Sequence, residues 1–257
     1  MTELHEIQTY YENQTRTFGR AEITRDHRRI ARVITTVTGL SGVRCDALEL
    51  GCGNGAVAAV LVDQGMVVTA LDFNAPAVRI ARTFESTRRG RLIPMQADFY
   101  TVVLPGQFDL IYYWDGFGVG TDKDQVKLLS RVKDWLAPDG VAVIDVFNPF
   151  YWSQQHGSSN VYEAPDGEKW KRQLAFDFQE CRMVDCWTSL DNPTAETRSQ
   201  SLRCYSPADF SVLLSSTGLA IRDLYTSDGL KITQGGTSAL RERTSFLAVL
   251  EDCMVSS

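Results

Sequence analysis

The sequence predicts an α/β fold: a parallel sheet with helices between its strands, and an antiparallel β cap inserted late in the chain. Three observations carry this expectation. Beyond Gly39 and Gly42, short apolar runs alternate with helical stretches, as successive βα units require. A glycine-rich turn at 51–55 follows the first apolar run and opens a helix. The stretch from about Asn148 to Tyr205 breaks the rhythm and is too long for a bare loop in a compact domain.

In chain order, an apolar stripe through Ile23, Ile30, Ile34 and Val37 predicts a first amphipathic helix, with Arg25, Arg28, Arg29 and Arg32 on its solvated side and His27 packed. Strands are expected near Ala47–Leu50, Val67–Leu71, Leu92–Gln96, Phe108–Tyr113 and Val141–Phe147. Helices fall between them near Gly55–Gln64, Ala75–Ser86 and Asp122–Leu136, and the tripeptide Pro138-Asp139-Gly140 reads as the turn before the fifth strand. Alternation at Leu174, Phe176 and Phe178, with turns at Pro165-Asp166-Gly167 and Asp191-Asn192-Pro193, gives the cap its antiparallel character. A helix near Ser206–Ser216 and strands near Leu219–Tyr225 and Ser245–Leu250 complete the core.

Composition excludes several function classes. With 26 Lys and Arg against 32 Asp and Glu among 257 residues, the formal charge is −6, which disfavours a surface built to neutralise nucleic-acid phosphates. The longest apolar run, Ala56 to Val62, is far short of the roughly 20 residues of a spanning helix. The first ten residues carry no apolar signal segment, and six irregularly spaced cysteines without a C-x-x-C pair suit a reducing cytoplasm. No His/Asp set stands at metal-ligand spacing.

The most informative segment is Ala47-Leu-Glu-Leu-Gly51-Cys-Gly-Asn-Gly55. Alternate glycines let the backbone turn tightly and approach a ligand, and Asp72, 21 residues beyond Gly51, stands where a carboxylate can accept from both ribose hydroxyls. The spacing also satisfies a dinucleotide fingerprint, so an NAD(P)-dependent oxidoreductase is the alternative. Glu49 tilts away from it, since a carboxylate at the mouth of the turn suits a cationic ligand group better than a pyrophosphate.

On these residues the segment resembles motif I of the class I S-adenosylmethionine-dependent methyltransferases. Val68-Thr-Ala-Leu-Asp72, Met95-Gln-Ala-Asp-Phe99, Phe108-Asp-Leu-Ile-Tyr-Tyr-Trp-Asp115, Leu136-Ala-Pro-Asp-Gly140 and Arg203-Cys-Tyr-Ser-Pro-Ala-Asp-Phe210 are similar to later blocks of that family in the same order. The resemblance implies a doubly wound, mostly parallel seven-stranded sheet whose last strand is antiparallel, with S-adenosyl-L-methionine across the carboxyl ends of its strands. It implies that Glu49 and the backbone of Gly51, Cys52, Gly53 and Gly55 hold the methionine part, that Asp72 binds the ribose, and that Phe73, Asp98 and Phe99 surround the adenine, with Trp114 beside the cofactor. The core would then comprise 45–147 and 206–257, with 1–44 as a helical lid and 148–205 as the substrate cap.

Methyl transfer from a sulfonium needs mainly alignment, exclusion of water and, for some acceptors, a base. The two aromatic loops, 114–120 and 148–156, would face the crevice. Asp115 is the first candidate for orienting or deprotonating the acceptor and His156 the second. Phe117, Phe150, Tyr151 and Trp152 would line its pocket, and Tyr10, Tyr11 and Phe18 would join them by folding over the cofactor as a lid, with an amphipathic helix packed on the sheet as the alternative. Asn148-Pro149-Phe150-Tyr151 is similar to the N-P-P-Y element of amino-methylating enzymes, but lacks the second proline and follows the fifth strand rather than the fourth. The expectation is a methyltransferase, monomer or homodimer, acting at nitrogen, carbon or oxygen of a small aromatic or amine-bearing metabolite. A non-catalytic cofactor-binding module is the remaining alternative.

Overall fold

The computed structural model describes residues 2–85, 89–192, 194–195, 197–233 and 237–253. Two helices come first, α1 (Thr2–Phe18) and α2 (Arg25–Thr38). The core follows with β1 (Asp46–Leu50), α3 (Ala56–Asp63), β2 (Val67–Asp72), α4 (Ala75–Arg82), β3 (Arg91–Gln96), β4 (Phe108–Phe117), α5 (Asp122–Trp135) and β5 (Leu136–Phe147). A short helix, α6 (Pro149–Trp152), leads into β6 (Ser159–Glu163), β7 (Lys169–Asp177), β8 (Arg182–Ser189) and β9 (Arg198–Arg203). The chain then returns through α7 (Pro207–Leu214), β10 (Leu219–Thr226) and β11 (Ser245–Asp252).

The seven core strands lie in the order β10-β11-β5-β4-β1-β2-β3, with β11 antiparallel to both of its neighbours. The interior strands are apolar because helices cover both faces. On one face Ile30, Ile34, Leu61, Val68, Val143 and Leu247 pack together; on the other Leu48, Ile111, Leu129, Ile144, Phe210 and Ala248 do. Helix starts follow from local chemistry. Thr24 caps α2 reciprocally with His27, Thr121 caps α5 with Asp124, and Ser206 caps α7 with Asp209. Between β1 and β4 the strand order reverses, which opens a crevice at their carboxyl ends.

Two expectations about the sheet are corrected. The fourth strand runs on past Tyr113 to Phe117, because a register shift between Tyr113 and Phe117 lets it regain pairing with Val146. Pro138-Asp139-Gly140 is no free turn but lies within β5, where a second shift separates the Phe108–Leu136 and Leu110–Val141 pairs. The helix expected to reach Ser86 ends at Arg82, and both Ser86 and Pro193 lie outside the described residues.

The four strands β6-β7-β8-β9 form a separate antiparallel sheet. It is tied to the core where Arg203 N–H donates to Gly118 O at 2.8 Å and Arg182 Nη1 to Gly120 O at 2.9 Å. Helix α1 bridges both bodies. Asn74 Nδ2 donates to Tyr11 O (3.0 Å) and Thr15 Oγ1 (2.7 Å) on the core side, and Arg198 Nη1 to Asn13 O (3.2 Å) and Thr17 Oγ1 (2.7 Å) on the other.

Candidate active site

A cavity of about 910 Å³ lies where the carboxyl ends of β1, β2, β4 and β5 meet α1, the start of α2 and the second sheet. Its size is at the upper end of the ~300–1,000 Å³ usual for small-molecule sites. Glu49, Gly51, Cys52, Gly53, Asp72, Phe73, Asp98, Phe99, Trp114, Asp115, Tyr10, Tyr11, Phe18 and Trp152 all line it.

The turn after β1 explains its glycines. Gly51 and Gly53 take φ of 62° and 52°, and a Cβ on Gly51 would stand 3.0 Å from the Tyr113 ring. Asp72 fastens the turn: its Oδ2 accepts from Gly53 N–H and its Oδ1 from Asn74 N–H, both at 2.8 Å. Burial nevertheless raises its pKa, with those two bonds opposing. Glu49 is 4% exposed; the Tyr112 hydroxyl and the Ala58 backbone face its carboxyl, but Oε2 makes no hydrogen bond of normal geometry. Burial pushes its carboxyl up to about 8. A buried acceptor without a donor is costly, and an ammonium group supplies both donor and charge. These residues therefore fit a ligand with an amino-acid ammonium at one end and a ribose at the other, as S-adenosylmethionine has. Tyr11, edge-on to Phe73 at 5.9 Å, closes the far side.

At the other end, Asp115 sits at φ 57°, an unusual conformation that Asp tolerates better than most residues. It is exposed at the cavity wall, where loss of hydration pushes its carboxyl up to about 6, opposed by Arg172 and aided by Asp185 and Asp26. Its backbone N–H donates to Asp145 Oδ2 at 3.1 Å. Asp145 is 3% exposed, and burial raises it to about 7. From the second sheet, Arg172 clamps Asp185 through two bonds of 2.9 Å, and Tyr10 OH donates to Asp185 Oδ2 at 3.4 Å. Trp152 stacks on Phe147 at 5.3 Å and donates from Nε1 to Thr244 O at 2.9 Å.

Five of the expected site residues are placed elsewhere. Phe117 is fully buried against Tyr205 and Phe210, because the lengthened β4 turns it into the core. Phe150 is 52% exposed outside the cavity, and Tyr151 packs edge-on to Trp152 at 5.2 Å. His156 is a fastening rather than a base: its Nδ1 accepts from Phe176 N–H at 3.0 Å and its ring stands beside Phe178. Gly55 begins α3, where a Cβ would meet Ala81 Cβ at 2.6 Å, so it is required by helix packing. Conversely, Asp145, Arg172, Asp185 and Trp187 line the cavity and were not expected. A signal existed for two of them. Asp145 interrupts the apolar run of β5, and Asp185 occupies an inward position between Met183 and Trp187.

Among the described residues no group of three or more His, Cys, Asp or Glu is placed to hold a metal ion, and no helix is long and apolar enough to cross a membrane. A family model described as "Methyltransferase domain" matches residues 47–140. No curated protein sequence matches the chain. Among solved structures, the CcbJ methyltransferase of Streptomyces caelestis aligns with a TM-score of 0.75 at 16% identity over 95% of this chain and 98% of its own. An S-adenosylmethionine-dependent methyltransferase of Clostridium acetobutylicum aligns with a TM-score of 0.70 at 18% identity, covering 96% and 98%. The S-adenosylmethionine-bound amino pentose methyltransferase CalS10 of Micromonospora echinaspora aligns with a TM-score of 0.58 at 19% identity, covering 93% and 95%. The glycine turn, the placement of Glu49 and Asp72 and the strand order agree with the methyltransferase-domain match over residues 47–140 and with the fold of these structures.

Proposed function

We propose that this protein transfers a methyl group to a small amine-bearing or aromatic metabolite enclosed between the core and the second sheet. The observation that carries the reading is one continuous cavity, running from Glu49 and Asp72 through Trp114 and Asp115 to Trp152 and Trp187. Glu49 and the Gly51–Gly53 backbone would hold the methionine part of the cofactor, Asp72 the ribose, and Phe73, Asp98 and Phe99 the adenine. When bound, the cofactor supplies an activated methyl carbon, whose bond to sulfur breaks as the acceptor atom's electron pair forms the new one. The chain's own contribution is alignment and exclusion of water: α1 covers the crevice, and Trp114 and Trp152 offer flat faces to the acceptor. Segment 148–205 serves as the substrate cap and 1–44 as the lid. Amino-pentose and sugar N-methyltransferases among the similar structures support an amine acceptor. Six free cysteines support action in the cytoplasm.

The test is acceptor-dependent formation of S-adenosylhomocysteine in a panel of amines, amino sugars, phenols and alcohols, with each product identified by mass. Turnover with amines is expected. Hydride transfer to or from NAD(P), with no S-adenosylhomocysteine formed, would overturn the reading.

A further inference from the structure

We infer that the acceptor is a cationic amine, and that Asp115 and Asp145 together form the subsite that takes its ammonium group and holds the proton it must lose. This rests on the methyltransferase reading above and narrows its substrate class.

The inference comes from accounting for charge at the acceptor end of the cavity. Four carboxyls converge there, Asp26, Asp115, Asp145 and Asp185, with two guanidinium groups, Arg29 and Arg172. Arg29 Nε bonds Asp26 Oδ1 at 2.8 Å, and Arg172 is engaged by both oxygens of Asp185. Each cation is therefore committed to a carboxylate of its own element or sheet. Among the described residues neither Asp115 nor Asp145 forms an ion pair. Asp145 Oδ2 receives the Asp115 N–H and the Ser245 hydroxyl stands against the carboxyl, but Oδ1, on a residue 3% exposed and lining the cavity, makes no hydrogen bond of normal geometry.

A buried carboxylate oxygen left without a donor is unusual in a native protein and marks a place where a ligand donor belongs. Ser245 offers one neutral donor; a charged one has to come from the cavity side. An ammonium brings several N–H groups and a positive charge, enough for Asp145 Oδ1 and the Asp115 carboxylate at once. A hydroxyl brings one donor and no charge, and a phosphate or carboxylate would meet two like charges. Trp114, Phe147 and Trp152 line the same cavity and favour a cation through their ring faces.

The pair also answers a chemical need. An alkylamine is protonated at neutral pH, with a pKa of roughly 10, and its nitrogen cannot attack until a proton leaves. Transfer to an ionised carboxyl breaks one N–H bond and forms one O–H bond, with the electron pair remaining on nitrogen. The second carboxylate faces the cationic nitrogen that exists before and after transfer. Groups facing the pair are Asp26 and Arg29 from α2, Tyr11 from α1, Arg172 and Asp185 from the second sheet, and Ser245 from β11. With carboxyls raised to about 6 and about 7, amine binding strengthens as pH rises through that range and the pair ionises.

The experiment uses full-length protein saturated with S-adenosylhomocysteine, titrated with benzylammonium and, separately, benzyl alcohol, which match in shape and differ in charge. Benzylammonium is expected to bind at least about tenfold more tightly than the alcohol, and Asp145→Asn to lose about tenfold or more of that affinity, as removal of a charged hydrogen bond implies. Asp115→Asn, which keeps a residue tolerant of positive φ, is expected to lose a similar factor and to flatten the pH dependence. Unchanged S-adenosylhomocysteine affinity in both variants shows that they are folded. The inference is overturned if amine and alcohol bind alike, if benzylammonium does not bind, or if both variants keep wild-type amine affinity. Failure of the underlying methyltransferase reading shows separately, as wild-type protein that does not bind S-adenosylhomocysteine.

Discussion

Glycines in the turn after β1 differ in what they do, although they look alike in sequence. Gly53 has no heavy atom within 4 Å of a built Cβ, whereas the Cβ of an alanine at Gly55 would overlap Ala81 of α4 at 2.6 Å; both have positive φ. Gly55→Ala is therefore expected to lower stability by about 1–3 kcal/mol through overpacking and backbone strain. Gly53→Ala carries the backbone penalty alone, about 1 kcal/mol. Urea unfolding of the two variants, with S-adenosylhomocysteine affinity measured alongside, checks the order. Gly55→Ala should be the less stable and Gly53→Ala the weaker binder, since Gly53 lines the cavity and Gly55 does not. A similar limit applies to His156 and Phe117. Residue type suggested a base and an aromatic wall, but a backbone N–H from Phe176 and a register shift in β4, neither visible in a linear pattern, decide their positions.

The central elements of the sheet were legible because buried strands are written as continuous apolar runs. Val68, Ala47 and Leu110 all lie in such runs, and the observed register pairs Ala47 with both of the others in adjacent strands. Motif I was legible because glycine spacing and Asp72 are local requirements of one turn. The contribution of the second sheet was not, since Arg172, Asp185 and Trp187 reach the cavity only through the pairing of β7 with β8. Helix α1 was expected as a lid on the strength of its aromatic residues, and its attachment depends on single side chains of distant elements. Arg198 is the main one on the far side: besides its bonds to Asn13 O and Thr17 Oγ1, its guanidinium lies 3.9 Å from the Trp170 ring centroid. Arg198→Ala is expected to speed amide hydrogen exchange through α1 severalfold and to raise the dissociation rate of S-adenosylhomocysteine, with the core sheet unaffected. Exchange mass spectrometry combined with stopped-flow release measures both.

Across the whole molecule the formal charge is −6, and the cavity concentrates carboxyls rather than cations: Glu49 and Asp72 at one end, Asp115 and Asp145 at the other. Each is raised by loss of hydration, and Glu49, pushed up to about 8, is the one that the empty protein holds mostly protonated at neutral pH and that a cationic ligand would ionise. The sign follows for Glu49. At pH 7, below its empty-state value of about 8, the carboxyl is mostly protonated, and an ammonium favours the ionised form. Cofactor affinity should therefore rise as pH increases from 6 to 8, and binding at pH 7 should release a proton. The most direct measurement is calorimetric titration of the folded protein with S-adenosylhomocysteine at pH 7, in two buffers of different ionisation enthalpy. Saturable binding is expected, with up to roughly one proton released per site through Glu49, and with both affinity and release reduced in Glu49→Gln. Well-folded protein that shows no binding would contradict the assignment of this cavity to S-adenosylmethionine.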